Sequence, residues 1–81
     1  MTEQGLTVYV RYDCSLCDDM LAALRPLQQE LGFALEIIEI GGDYQLEQLY
    51  GSRVPVLVAG RGELCHYFLD PDRVRGYFAA C

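Results

Sequence analysis

Two cysteines, Cys14 and Cys17, stand three positions apart where a strand-like run meets a helix-like run. A cysteine at the start of a helix lies near free backbone N–H groups and the positive end of the helix dipole, and both favour its thiolate. The thiolate is the nucleophile in thiol–disulfide exchange. One helical turn later, the second cysteine is close enough to complete a small disulfide ring. The spacing therefore predicts a redox pair with Cys14 as nucleophile and Cys17 as resolving cysteine.

Carboxylates flank this pair on both sides. Asp13 precedes Cys14, and Asp18 and Asp19 follow Cys17. Negative charge beside a thiolate raises its pKa, whereas the helix N–H groups lower it at shorter range. We expect the pKa of Cys14 to be lowered, but by less than basic neighbours would lower it.

A Cys-x-x-Cys pair can also be two core residues or half of a metal site. Cys65 and His66 are the remaining candidates for a shared site, but neighbours on a strand point to opposite faces. Zinc prefers four converging ligands. We predict no metal site, a buried Cys65 that behaves as a small apolar residue, and a mobile terminal Cys81.

The runs around the cysteines predict the element order β-α-β-α-β-β-α. Strands are indicated by β-branched and aromatic runs, and helices by apolar spacing with capping residues. The predicted strands cover residues 6–12, 33–40, 53–59 and 64–68. The predicted helices cover 15–31, with a kink or break at Pro26, then 43–50, and a last helix opened by Asp70 and Pro71. In the second helix, Leu46, Leu49 and Tyr50 are expected to face inward.

This order indicates one α/β domain over residues 1–81. A helical crossover makes the first two strands parallel, and a tight turn at 60–62 makes the last two antiparallel. We expect a four-stranded mixed sheet of order 2-1-3-4 with helices on both faces. Cys14 would then lie at the carboxyl end of a central strand, where reactive groups collect in open α/β sheets.

Charge narrows the range of partners. The chain has 12 acidic and 6 basic residues, all of the latter arginine, for a formal charge of −6. Binding to nucleic acid or to an anionic membrane needs a basic surface, so we expect neither. No apolar run approaches the roughly 20 residues of a membrane helix, and no signal-peptide pattern opens the sequence. We therefore expect a cytoplasmic monomer, in a compartment where structural disulfides are rare.

From Leu6 to Phe78 the chain resembles the thioredoxin-like superfamily, and within it the short bacterial glutaredoxin-like proteins. Two segments carry the resemblance: Cys14-Ser15-Leu16-Cys17 after the first strand, and Val54-Pro55 at the start of the third. The resemblance implies a thioredoxin-like fold and a small thiol–disulfide oxidoreductase. It also implies a cis Val54–Pro55 bond that faces the cysteines, with the Val54 backbone pairing with an extended substrate or glutathione.

The substrate would be a protein disulfide or a glutathione mixed disulfide, with no bound cofactor and glutathione as a candidate reductant. In the predicted substrate site, Arg53 would meet a glutathione carboxylate and Asp70 a glutathione amine, while Tyr12 would line the rim. The full set of predicted substrate-binding residues is Tyr12, Ser15, Leu16, Arg53, Val54, Pro55 and Asp70.

The chain departs from the glutaredoxin pattern at the cysteines themselves. Glutaredoxins usually have Pro-Tyr between the cysteines and a basic residue before them, whereas this chain has Ser15-Leu16 and Asp13. These departures motivate one alternative, a redox-inactive binding module with the same fold. A further alternative is a metal or iron–sulfur carrier that uses Cys14, alone or across a dimer.

Overall fold

The computed structural model describes residues 5–60 and 62–80. Within them, strands and helices follow one another in the predicted order. The elements are β1 (Gly5–Val10), α1 (Ser15–Leu31), β2 (Ala34–Glu39), α2 (Tyr44–Tyr50), β3 (Val56–Ala59), β4 (Gly62–His66) and α3 (Pro71–Ala79). Cys81 and Arg61 lie outside the described residues, so the predictions for a mobile Cys81 and for the middle of the 60–62 turn stay predictions.

The strands form one sheet in the order β2-β1-β3-β4, which confirms the predicted 2-1-3-4 arrangement. β1 runs parallel to β2, while the β1–β3 and β3–β4 pairs are antiparallel. Consequently β1, β2 and β4 all end, and β3 begins, at the same edge. We call this the C-terminal edge of the sheet. The turn that carries Cys14 leaves β1 at this edge.

The main core lies between one face of the sheet and the helices α1 and α3. Alternate residues of β1 point into it, as the period of two in a strand requires. Deeply buried apolar side chains from both layers pack there, and burial of each of the larger ones stabilises the fold by about 1.5–3 kcal/mol. The buried members of this cluster are Leu6, Val8, Val10, Cys17, Met20, Leu24, Leu27, Phe33, Leu57, Ala59 and Val74.

Helix α2 packs against the opposite face of the sheet through Tyr50. Tyr9 of β1 stacks on Tyr50 of α2 with ring centroids 4.2 Å apart. The predicted inward position of Leu49 is wrong, because its side chain is 57% exposed. A helix of fewer than two full turns presents only a narrow face to the sheet, and here Leu46 and Tyr50 occupy it as partly buried residues.

Helix α1 has the predicted bounds and is one continuous helix through Pro26. Proline removes one backbone hydrogen bond from a helix, but buried Leu24 and Leu27 on either side hold the segment against the sheet. The predicted caps of the other helices are confirmed. Asp43 accepts a hydrogen bond from the Leu46 N–H at 3.1 Å, and Asp70 accepts one from the Arg73 N–H at 3.3 Å.

The predicted ends of the strands need correction. β1 ends at Val10, not Tyr12, because the chain turns at Asp13 with φ 52°. β3 begins at Val56, not Arg53, since Pro55 has no N–H to give to a neighbouring strand. β4 spans Gly62–His66, not 64–68, and β2 is one residue shorter at each end than the predicted 33–40.

Within residues 5–60 and 62–80, no helix has the length and apolar character needed to cross a membrane.

Two glycines allow a matched test of backbone conformation. Gly32 ends α1 with φ 75°, whereas Gly76 lies inside α3, and a Cβ at either position would meet no atom within 4 Å. Gly32→Ala should destabilise the protein by about 1–2 kcal/mol, because a Cβ disfavours the left-handed conformation. Gly76→Ala should stabilise it by about 0.5–1 kcal/mol. Urea unfolding measures both changes, and shifts of the same sign would contradict this assignment.

Candidate active site

The two cysteines of the Cys-x-x-Cys segment are joined by a disulfide in this structure, with their Cα atoms 5.1 Å apart. Cys14 is the N-cap of α1, and its Sγ accepts a hydrogen bond from the backbone N–H of Cys17 at 3.1 Å. Cys14 is half-buried, while Cys17 is only 1% exposed. Of the two sulfurs, Cys14 is therefore the one that an incoming group can reach.

A tight turn between β1 and α1 aims the Cys14 side chain. Asp13 adopts φ 52°, a left-handed conformation that Asp and Asn tolerate better than most residues. Cys14 then returns to an extended conformation, and its carbonyl accepts the first helical hydrogen bond, from the Asp18 N–H at 3.1 Å. Because Asp13 tolerates this conformation, the chain passes from β1 to α1 within four residues. Cys14 therefore lies where α1 begins.

The Val54–Pro55 segment enters the sheet at the C-terminal edge, beside the exit of β1. Tyr9 of β1 lies opposite Val56 of β3 and is the last residue of β1 that pairs with β3. The two residues before Val56 therefore lie beyond the paired part of these two strands. The Val54–Pro55 peptide bond is cis. Pro55 is buried, and both Val54 and Cys14 pack as partly buried residues against the main core.

Tyr67 ties the Val54–Pro55 segment to the end of β4. Its backbone N–H donates to the Pro55 carbonyl at 2.9 Å, and its Oη donates to the Ser52 carbonyl at 2.8 Å. Tyr67 has φ 64°, and the Phe68 N–H donates to the His66 carbonyl across it, which makes a γ-turn. Sequence reasoning missed this residue. A tyrosine disfavours positive φ, so the pattern indicated a continuing strand.

Arg53 is engaged by other side chains. Its Nη2 lies 3.2 Å from Glu63 Oε1, and its Cζ lies 5.9 Å from the Tyr50 ring centroid. Glu63 also pairs with His66 Nδ1. The hydrogen bond with His66, followed by the charge of Arg53, holds the pKa of Glu63 below its ordinary value. The cation predicted to meet a substrate carboxylate is therefore already paired within the protein.

The depressed pKa of Glu63 makes its contribution to stability pH-dependent. A carboxylate whose folded-state pKa is lowered stabilises the fold above its unfolded-state pKa, and loses that contribution as the pH falls through the folded-state value. At pH 7 we expect Glu63→Gln to cost about 0.5–1 kcal/mol, the range for partly exposed pairs. The difference between wild type and variant should shrink as the pH falls below the ordinary pKa of a glutamate, and vanish once Glu63 is protonated in the folded protein. Denaturant unfolding at a series of pH values measures it, and a difference that persists unchanged in acid would contradict this role.

The remaining predicted substrate residues also lie at the C-terminal edge. Tyr12 is 82% exposed on the turn after β1. Ser15 is exposed and Leu16 is half-buried in the first turn of α1. Asp70 is exposed and caps α3 through the Arg73 N–H. The sheet topology thus brings the predicted residues to one edge.

Cys65 is separate from this pair and less reactive. It is half-buried on β4, opposite Leu57, and packs against the main core. Burial raises the pKa of its thiol, although a backbone hydrogen bond from Asp70 acts in the opposite direction. Its thiol therefore stays protonated near neutral pH, as expected for a small apolar residue, but Cys65 is half-buried and not buried as predicted. Within the described part of the chain, no group of three or more His, Cys, Asp or Glu side chains is placed to hold a metal ion.

Comparisons with known proteins agree with this arrangement. The family model of the glutaredoxin-like domain (DUF836) matches residues 5–79. The solution NMR structure of protein Ne2328 from Nitrosomonas europaea is similar, with 48% identity, a TM-score of 0.83, and coverage of 95% of this chain and 93% of that one. A comparison with curated proteins found no match.

The X-ray structure of target protein XcR50 from X. campestris is also similar, with 40% identity and a TM-score of 0.74. It covers 95% of this chain and 99% of that one. The fold is therefore the expected thioredoxin-like one, and the Cys14–Cys17 pair at the start of α1 fits a thiol redox role. The chain belongs to the glutaredoxin-like domain family of the thioredoxin-like superfamily.

Proposed function

We propose that this protein is a small thiol–disulfide oxidoreductase that works by a dithiol mechanism. One observation carries the proposal: Cys14 and Cys17 form a disulfide at the N-terminus of α1, with the Cys17 N–H directed at Cys14 Sγ. In the reduced protein the same N–H group and the helix dipole favour a thiolate on Cys14. A thiolate in a partly exposed position is the group that attacks disulfides.

The reaction begins with the reduced protein. The Cys14 thiolate attacks one sulfur of the substrate disulfide, which forms a mixed disulfide and releases the first substrate sulfur as a thiolate. The Cys17 thiolate then attacks Cys14 Sγ and forms the Cys14–Cys17 bond, which releases the second substrate sulfur. The two released thiolates take up protons, so the substrate gains two electrons and the protein dithiol loses two. An external thiol restores the dithiol by the same exchange chemistry.

The exposure of the two sulfurs supports this division of roles. Cys14 is half-buried at the C-terminal edge, whereas Cys17 is almost fully covered by the core. A bulky substrate disulfide can therefore approach Cys14 but not Cys17. Cys17 needs only to reach the neighbouring sulfur one helical turn away, which is an intramolecular step with a high effective concentration.

The Val54–Pro55 segment is the proposed platform for the substrate main chain. Val54 lies two residues before β3, and its segment is braced by Tyr67 through the Pro55 and Ser52 carbonyls. An extended substrate can pair with backbone groups at such a position as an added strand does. Ser15 and Leu16 would border the attacked bond, and Tyr12 and Asp70 would flank it.

We further propose a cytoplasmic monomer that acts on protein disulfides or glutathione mixed disulfides, with no bound cofactor. A reducing compartment would regenerate the dithiol after each cycle. Glutathione is one candidate reductant. Its binding would require Arg53 to exchange its contact with Glu63 for a glutathione carboxylate.

Wild-type protein provides the direct test. The fully reduced protein, mixed with a neutral small disulfide such as hydroxyethyl disulfide, should release two substrate thiols for each Cys14–Cys17 bond formed. Mass spectrometry of the protein and a thiol count of the substrate measure the two sides. If the dithiol reduces neither this compound nor any protein or glutathione disulfide, the oxidoreductase assignment fails and the binding-module alternative gains support.

A further inference from the structure

A groove of about 260 Å³ lies beside the redox turn, between α1 and the connection from β4 to α3. It begins two residues after Cys17, in the second turn of the same helix. The groove is lined by Asp19, Met20, Ala23, Tyr67, Phe68 and Leu69. A somewhat larger groove lies at the other end of β4, against α3, so proximity to Cys14 rather than volume singles out the first one. We call it the Asp19 groove.

The walls of the Asp19 groove combine apolar surface with a carboxylate. Met20 is buried and Leu69 half-buried, so they form an apolar floor. Phe68 presents an aromatic ring that is 69% exposed, and Asp19 is exposed at the other side. A lysine or arginine side chain suits this lining, because its methylene stem covers apolar surface while its charged end meets a carboxylate or a ring face.

The charges around the Asp19 groove also favour a cationic ligand. Within residues 5–60 and 62–80, Asp13, Asp18 and Asp19 form no ion pair. The two arginines at the C-terminal edge are already neutralised. Arg11 makes a two-bond pair with Glu47 at 2.6 and 2.9 Å, and Arg53 pairs with Glu63. The local field therefore attracts cations and repels anions.

We propose that the Asp19 groove binds an arginine or lysine side chain that flanks the cysteine of a disulfide-containing polypeptide. This rests on the proposed function, and it names the substrate class as basic polypeptides. Glutathione carries two carboxylates against one amine and has no basic side chain with a methylene stem, so a groove that selects such a side chain does not favour it. The cationic residue docks against Asp19 and Phe68, and its neighbouring disulfide then lies within reach of Cys14.

Binding can be measured separately from the redox reaction. Two peptides that contain no cysteine, one with arginines around a central serine and one with glutamates there, are titrated into the oxidised wild-type protein. NMR chemical shifts report the affinity and the place. At low salt the arginine peptide should bind roughly tenfold more tightly, and added salt should reduce the difference. The amides of Asp19 and of residues 67–69 should shift most.

Single substitutions locate the contact. Asp19→Asn should weaken binding of the arginine peptide about two- to fivefold, the range for an exposed charge pair. Phe68→Ala should weaken it by a similar factor through loss of the ring face. Glu36→Gln removes one negative charge from an exposed position on β2 and serves as the control. It should leave the affinity unchanged.

The outcomes separate this inference from the proposed function. Equal affinity for the two peptides, shifts centred elsewhere, or an equal loss in Glu36→Gln and Asp19→Asn would each overturn the groove assignment. A protein that binds the arginine peptide at this groove but reduces no disulfide would keep the binding site and refute the oxidoreductase. A protein that reduces the neutral disulfide without preferring the arginine peptide would do the reverse.

Discussion

Cys14→Ser should reduce the rate of disulfide reduction by more than about a thousandfold, since a serine hydroxyl is not ionised near neutral pH and cannot form a mixed disulfide. Cys17→Ser should behave differently. It keeps the attacking sulfur, so the first exchange proceeds and the mixed disulfide with Cys14 accumulates. A thiol-release assay measures the loss in the first variant. Intact-protein mass spectrometry detects the adduct in the second as one substrate half added to the chain.

Cys65→Ala is the control for this pair of variants. Cys65 lies half-buried on β4, and burial raises the pKa of its thiol, so its removal should leave the rate within about twofold of wild type. A Cys65→Ala variant as inactive as Cys14→Ser would reassign the chemistry. Absence of any adduct on Cys17→Ser would argue that Cys14 does not attack first.

Leu24→Ala should produce the largest loss of stability among simple substitutions. Leu24 is 0% exposed in the middle of α1 and packs in the main core. Removing a fully buried leucine side chain loses its transfer free energy and leaves a cavity, which costs about 2–5 kcal/mol. A domain of this size has a total stability of about 5–15 kcal/mol, so the unfolding midpoint should fall by roughly 10 °C or more.

Leu49→Ala makes the same chemical change at an exposed position. Leu49 is 57% exposed on α2, so its loss should change stability by less than about 0.5 kcal/mol. Thermal and urea unfolding followed by circular dichroism measure both variants. Comparable losses would show that the side chain of Leu49 is covered in solution, for example by a partner. That result would contradict the exposed position described for α2.

Helix α1 both stabilises the fold and positions the two cysteines. The helix carries Cys14 as its N-cap and Cys17 as the first of its buried residues, and the following buried positions, Met20, Leu24 and Leu27, attach it to the sheet. The same packing that holds the helix therefore holds the two sulfurs in reach of each other. A partial loss of this packing in Leu24→Ala should also lower the rate of the intramolecular step more than the first exchange.

Short-range patterns in the sequence were sufficient for most of the architecture. The element order and both ends of α1 follow from apolar periodicity and capping residues, and the parallel β1–β2 and antiparallel β3–β4 pairs follow from the kind of connection between the strands. The Cys14–Cys17 pair could also be predicted from neighbouring residues, because two cysteines three positions apart at the start of a helix are separated by one helical turn. Each of these depends on residues within a few positions of one another, or on rules that hold for any chain.

Only the tertiary structure decided which side chains lie at the C-terminal edge and which contacts they make. Tyr67 adopts a left-handed conformation because it bonds to Pro55 and Ser52, residues 12 and 15 positions earlier. Arg53, which precedes β3, pairs with Glu63 of β4, so its charge is already balanced within the protein. The Asp19 groove exists because a turn after β4 lies against α1. The sequence by itself determined that Cys14 begins a helix beside a strand. Which side chains surround it depended on contacts between distant segments, and no local pattern encodes those contacts.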